Sequence, residues 1–143
     1  MIIRLMEISD YDQVYRLWTG TSGMGMRSLD DSLEGIERFL KRNPRSNFVA
    51  VEGEEIIGVI LCGHDGRRGY IYHAAVESSF RGKGIGGQLV DRALEALKDE
   101  GINKAALVVF KSNEIGNDFW AAIGFDERTD LKYRNKSINH NNI

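Results

Sequence analysis

From Val76 to Gly87 the chain reads Val-Glu-Ser-Ser-Phe-Arg-Gly-Lys-Gly-Ile-Gly-Gly, with four glycines inside six residues and Arg81 and Lys83 among them. These residue types can hold an anion. Gly82, Gly84 and Gly86 let backbone N–H groups approach a ligand without side-chain interference, and Arg81 and Lys83 add positive charge. An apolar, aromatic run from Tyr70 to Val76 precedes the glycines and suits a strand buried on both faces. Behind them Ile85, Leu89, Ala93 and Leu97 recur at helical spacing, with Asp91, Arg92, Glu95 and Lys98 opposite, until Gly101 ends the pattern. A strand feeding a helix through glycines leaves the first-turn amides unpaired and pointing at the loop, where the helix dipole favours negative charge. Phosphate is the natural ligand of such a turn.

Several phosphate loops share this outline. A Walker A loop needs Lys and then Ser or Thr directly after the last glycine, whereas Gln88 and Leu89 follow Gly87. Gly82, Gly84 and Gly87 fit G-x-G-x-x-G, but the acidic residue that should close the next strand is missing, because Ala105 to Phe110 ends in Lys111. The bland alternative is a tight strand-to-helix turn that binds nothing.

Composition bounds what surrounds the loop. At 143 residues and 42% apolar content the chain supports one core, so a single α/β domain over residues 1–143 is expected. No apolar run reaches the roughly 18–20 residues of a membrane span, and Met1 to Arg4 lacks the apolar core of a secretory signal. The expectation is a cytoplasmic protein with no membrane partner. A formal charge of −2 gives no basis for non-specific nucleic-acid binding. Cys62 sits in an apolar run as a small core residue, and His64, His73 and His140 show no metal-ligand spacing.

The elements follow from local pattern. Ile2 to Leu5 reads as a strand, and Asp10 with Gln13 resembles a capping box for a helix through Val14, Leu17 and Trp18. Gly20 to Met26, with three glycines and two methionines, is a soft segment that could close over a substrate or simply join two helices. A helix with Leu33, Ile36, Phe39 and Leu40 on one stripe follows, with Asp30 or Asp31 as its cap or, more sharply, as recognition groups for a cationic substrate. Phe48 to Glu52 and Ile56 to Cys62 read as a hairpin, and the turn from Gly63 to Gly69 leads into the Tyr70 strand. Strand Ala105 to Phe110 and helix Glu114 to Ile123 complete a parallel β-α-β half, with the glycine loop at the carboxyl end of its first strand. Lys132, Arg134 and Lys136 alternate as on a solvated edge strand, and Ile138 to Ile143 reads as frayed.

Arg81-Gly82-Lys83-Gly84-Ile85-Gly86 matches the (Q/R)-x-x-G-x-(G/A) acyl-CoA signature, and the chain resembles the GNAT superfamily of N-acetyltransferases. A second block agrees: Asn113, Gly116, the pair Phe119-Trp120 and Gly124-Phe125 stand in the register of that family's later motif. The order of elements matches over essentially the whole chain. The resemblance implies a three-layer α/β (α+β) fold with a mixed sheet of about six to seven strands, four flanking helices and splayed central parallel strands. It implies bound acetyl-CoA, with its diphosphate on Arg81 to Gly86 and its pantetheine arm on the backbone of Ala74, Ala75 and Val76. Asn113 would contact the arm, Phe119 and Trp120 would pack near its thiol end, and no metal is needed.

The implied reaction is attack by a primary amine of a small molecule or peptide on the thioester. It needs a neutral amine, an oxyanion donor and a proton for the thiolate. A backbone N–H near Val76 can serve the oxyanion. Where many members carry a carboxylate or histidine, four or six residues before the Val76 position, this chain has Tyr72 and Tyr70. With ordinary pKa values near ~10, neither is a ready base. His73 has a better pKa, but strict strand alternation turns it to the opposite face. Glu77 reads as a solvated loop carboxylate. Trp120 occupies the place of the family's usual acid, a tyrosine, and an indole N–H is no proton source. The proton carriers expected are thus Tyr72 and Tyr133, with water as a substitute. A non-catalytic acyl-CoA-binding module is the rival reading, and under either the protein is expected to be a monomer or homodimer.

Overall fold

The computed structural model describes residues 1–143. Its elements in chain order are β1 (Ile2–Leu5), α1 (Tyr11–Thr19), α2 (Leu33–Arg42), β2 (Phe48–Glu52), β3 (Glu55–His64), β4 (Gly69–Val76), α3 (Ile85–Asp99), β5 (Ala105–Ala106) and α4 (Glu114–Ala122). The strands form one sheet in the order β1-β2-β3-β4-β5. Neighbours are antiparallel up to β4, and β4 with β5 is parallel. None of the helices is long and apolar enough to cross a membrane.

Alternation along β3 sets the layering, since successive side chains leave a strand on opposite faces. Ile60 and Cys62 join Leu89, Val90, Ala93 and Leu97 of α3 in one buried cluster, against which Phe119 and Trp120 of α4 also pack. Val59 and Leu61 join Val14, Leu17 and Trp18 of α1 and Ile36 of α2 in a second cluster. The α/β class and the layered arrangement expected from the resemblance are therefore present, with α1 and α2 on one face and α3 and α4 on the other.

The strand count is smaller than expected: five, not six to seven. Of the run Ala105 to Phe110, only Ala105 and Ala106 pair with β4, opposite Gly69 and Tyr70. Val108 and Phe110 stay more than half exposed, so no burial holds them in the sheet. Lys132, Arg134 and Lys136 form no strand either. Leu131 and Tyr133 beside them are exposed, and a segment that buries nothing cannot offset the entropy of ordering its backbone. Ile138 to Ile143, expected to fray, ends instead on the segment before α2. The Ser28 N–H donates to the Ile143 carbonyl at 2.8 Å, and the Asn142 side-chain oxygen accepts from the Leu29 and Asp30 amides at 3.0 Å each.

The caps also differ from expectation. Ser32, not Asp30 or Asp31, caps α2 by accepting from the Gly35 N–H at 3.1 Å. Gln13 makes no capping box: its side chain accepts from the Ile56 N–H at 3.0 Å, tying α1 to the β2–β3 hairpin. Buried Asp10 accepts two 2.8 Å bonds from the Arg4 guanidinium and one of 2.8 Å from the Glu7 N–H, which fixes β1 to the start of α1.

Burial by itself would raise the Asp10 carboxyl, but the bonds from Arg4 and Glu7 outweigh it and hold the group below the usual carboxylate range. A depressed folded pKa stabilises above the unfolded value, near ~3.9, and that contribution disappears as pH falls through the folded value. Asp10→Asn should therefore cost about 1–2 kcal/mol at pH 7, the partly solvated Arg4 keeping the loss modest. It should also flatten the acid dependence below pH 4. Urea unfolding of both proteins from pH 7 to pH 3 checks this, and parallel losses would show that the pair contributes nothing.

Candidate functional site

The glycine loop is built as an open row of donors. Gly82 and Gly84 take φ of +77° and +79°, a left-handed conformation that favours glycine, and Gly84 caps α3. The first bond of the helix runs from the Gln88 N–H to the Gly84 carbonyl at 3.1 Å. No amide from Gly82 to Gly87 has an acceptor within the protein. A Cβ at Gly82, Gly84 or Gly87 would meet nothing within 4 Å, so the loop faces outward. Gly86 differs: a Cβ there would lie 3.1 Å from the Phe119 ring, so this glycine allows the close approach of α4 to α3. Ile85 points into the core and anchors the loop. The Arg81 Nε donates to the Val76 carbonyl at 3.1 Å, and the Lys83 ammonium lies 5.2 Å from the centre of the Phe80 ring.

Beside this loop the sheet opens. Pairing of β4 with β5 stops at Tyr70, so the rest of β4 has no partner on that side. The Glu77 N–H donates to Ile57 of β3, while the Val76 carbonyl faces Arg81. Alternation then turns the backbone groups of Ala74 and Val76 to the open edge and those of Ala75 toward β3. Across the gap, the Asn113 side chain caps α4 by accepting from the Gly116 N–H at 2.9 Å. A Cβ on Gly116 would sit 2.6 Å from that amide group, so glycine makes room for the cap. Phe119, Trp120 and Phe125 form an edge-to-face stack with neighbouring centroids 5.0 Å apart. The Gly20–Met26 segment closes over this side, since a Cβ at Gly23 would be 2.8 Å from the Asn113 amide.

On the α1/α2 face, Tyr70 and Tyr72 stack at 4.7 Å and Phe39 of α2 meets Tyr72 edge-on at 5.5 Å. Burial, then Tyr133, pushes the Tyr70 phenol up; burial, then Asp30 and Tyr133, does the same to Tyr72. The two tyrosines from the β4 strand and Tyr133 thus lie near one another, and Tyr72, at 53%, is exposed like Tyr133, so its burial is partial.

His73 does not point to the opposite face as strict alternation required. The β3–β4 register shifts between Leu61, opposite His73, and Cys62, opposite Ile71, which leaves Tyr72 as the extra residue of a bulge. The bulge reverses parity, and His73 turns toward α1, where its ring lies 4.9 Å from that of Trp18. Its Nε2 is 2.8 Å from Asp31 Oδ1, and both side chains are buried. The sequence offered Asp31 as a helix cap or as a recognition group for a cationic substrate, not as the partner of a histidine 42 positions away.

The sequence profile described as the acetyltransferase (GNAT) family matches residues 11–125. An acetyltransferase of Yersinia enterocolitica is 32% identical over 132 residues, covering 92% of this chain and 88% of its own, and one of Pectobacterium atrosepticum is 33% identical over the same shares. Among solved structures, Ard1 from Thermoplasma volcanium superposes with a TM-score of 0.75 at 22% identity, over 86% of this chain and 80% of that one. PaiA N-acetyltransferase from Thermoplasma acidophilum, in complex with coenzyme A, gives 0.73 at 19% identity, over 85% and 86%. The open amide row, the splayed strand beside it and the profile match over most of its length show that this chain is an acetyltransferase and belongs to the GNAT family.

Proposed function

We propose that the protein transfers the acetyl group of acetyl-CoA directly to a primary amine of a small molecule or peptide held in the same complex. The observation that carries this is the unbroken row of free amides from Gly82 to Gly87 next to the unpaired edge of β4. A diphosphate offers the many acceptor oxygens such a row requires. Arg81 and Lys83 add charge, and Ile85 and Gly86 keep the loop on its helix. The open backbone of Ala74 and Val76 suits the amides of a pantetheine arm, with Ala75 holding that strand against β3. Asn113, Gly116, Phe119 and Trp120 form the far wall. Acetyl-CoA supplies the activated acyl carbon.

The acceptor would enter over the α1/α2 face, between Gly20–Met26 and the Tyr70, Tyr72 and Tyr133 group. Neighbours of this fold include an aminoglycoside 6'-N-acetyltransferase from Acinetobacter haemolyticus and the NatC complex bound to a peptide, so the architecture accommodates both acceptor classes. Tyr72 keeps its proton at neutral pH because burial and Asp30 hold its pKa above the ordinary value. It is therefore suited to donate to a departing thiolate, with Tyr133 beside it. Backbone N–H groups on the open edge of β4 are the oxyanion donors.

Acetyl-CoA at about 100 times its dissociation constant should stabilise the protein by ~2.7 kcal/mol, visible as a melting point several degrees higher. In Gly84→Val that rise should vanish while helical circular dichroism stays near wild type, because valine resists the left-handed conformation there. A full rise in the variant would refute the amide cradle. Thiol release should depend on added amine across a panel of polyamines, amino acids, aminoglycosides and peptide N-termini; donor binding without acceptor-dependent release would remove the transfer reading.

Burial pushes the Cys62 thiol up to about 12, which rules it out as an acyl carrier at neutral pH. Ellman's reagent at pH 8 should leave Cys62 untouched in the folded protein and modify it fully in guanidinium. Rapid reaction in the folded state would reopen an acyl-cysteine route.

A further inference from the structure

The transfer as described lacks a group that can take a proton. Tyr70 and Tyr72 are both pushed away from that role, and Cys62 is buried. His73 is the remaining side chain on the acceptor-facing part of β4 with suitable chemistry, and its surroundings define its tautomer. Asp31 accepts through both oxygens: Oδ1 from His73 Nε2 at 2.8 Å and Oδ2 from the Arg27 N–H at 2.7 Å. A carboxylate that only accepts requires the hydrogen on Nε2, so the neutral ring presents its lone pair at Nδ1. Trp18 Nε1 is the one buried side-chain nitrogen or oxygen without a partner. His73 Nδ1 has no partner within the protein either, and the ring keeps a small exposure, 8% for the residue.

Asp31 is itself fixed. Its N–H donates to the Arg27 carbonyl at 3.0 Å, and its carbonyl accepts from the Tyr11 hydroxyl at 2.6 Å. The groups facing the imidazole are Asp31 from the segment before α2, Trp18 from α1 and Leu61 across the β3 ladder, with the Tyr11 hydroxyl one bond beyond Asp31. No lysine or arginine side chain is bonded to the pair.

We propose that His73 is the proton acceptor of the transfer and that Asp31 is its positioning residue. His73 Nδ1 takes a proton from the acceptor ammonium and leaves a neutral amine. The amine nitrogen bonds to the acetyl carbon, the carbon–sulfur bond breaks, Tyr72 gives its proton to the thiolate, and the second nitrogen-bound proton passes to Tyr72. His73 then returns its proton to solvent. This role rests on the transfer reading above and specifies how that site prepares its acceptor.

The test uses the full chain with acetyl-CoA and an amine that supports turnover. His73→Gln should lower kcat about 100-fold or more while keeping the melting rise given by acetyl-CoA, and the acid-side fall of kcat/KM should disappear. Added imidazole should restore part of the rate in His73→Ala, which a purely structural loss would not allow. Asp31→Asn should shift the acid-side limb and lower kcat with less effect on donor binding. A kcat within threefold of wild type in His73→Gln, or an unchanged acid limb, overturns the assignment. Where His73→Gln does not fold, an unmoved limb in Asp31→Asn overturns it and a shifted one upholds it. A wild-type protein that binds acetyl-CoA yet turns over no amine overturns the transfer reading and this role together, and that result appears before any substitution is made.

Discussion

An unpaired backbone amide is tolerable only where water or a ligand can reach it, and this constraint governs the centre of the molecule. A buried orphan donor costs about 1–3 kcal/mol, so the amides from Gly82 to Gly87 could not be folded inward without a severe loss. They stay at the surface because Gly82 and Gly84 turn the chain outward before Ile85 enters the core. The same constraint acts on β4, whose parallel partner leaves after Ala106. Two sets of unmet hydrogen bonds thus lie side by side. A ligand that satisfies both needs clustered anionic oxygens at one end and amides along its length, which selects for a nucleotide joined to a peptide-like arm.

Rigid packing keeps those open groups aligned. Leu89, Ala93 and Leu97 seat α3 on the sheet, while the contact of Phe119 with Gly86 ties the start of α3 to α4. On the other face, the segment between α1 and α2 is held by Asp31 on His73 and by Asn142 on the Leu29 and Asp30 amides. The second attachment makes residues 142 and 143 part of the surface before α2. The glycine loop and the segment between α1 and α2 are therefore stabilised by separate clusters on opposite faces of the sheet.

What the sequence revealed follows a physical division. The glycine loop, the helix behind it and the buried cysteine depend on neighbours a few residues apart, so type and spacing are enough to read them. Strand number depends on pairing across long separations: Val108 and Phe110 look like strand residues, yet whether they join the sheet is decided by what could bury them. The face of His73 was misjudged for a related reason. Period-two alternation holds only while the register is regular, and nothing local in Tyr70 to Val76 announces that Tyr72 is an inserted residue. The docking of Asn142 on the segment before α2 joins positions 112 apart or more and carries no local pattern.

The bulge at Tyr72 also resolves a chemical conflict that a regular strand would leave in place. With uninterrupted alternation, the two tyrosines would face α1 and α2 and the histidine would lie on the α3 side. One extra residue brings a phenol that retains its proton and an imidazole with a free nitrogen onto the same face, on consecutive positions. Acyl transfer from a thioester to an ammonium requires one proton removed and one supplied, by groups whose affinities for it differ. The phenol is driven upward by burial and the nearby Asp30 carboxylate, so it cannot compete for the proton the amine must lose. In the tautomer proposed above, the Asp31 carboxylate holds the imidazole's own hydrogen on Nε2, which leaves the lone pair on Nδ1. The proposed division of the two proton tasks would thus rest on a single irregularity in backbone register, in a strand whose composition suggests only a buried apolar element.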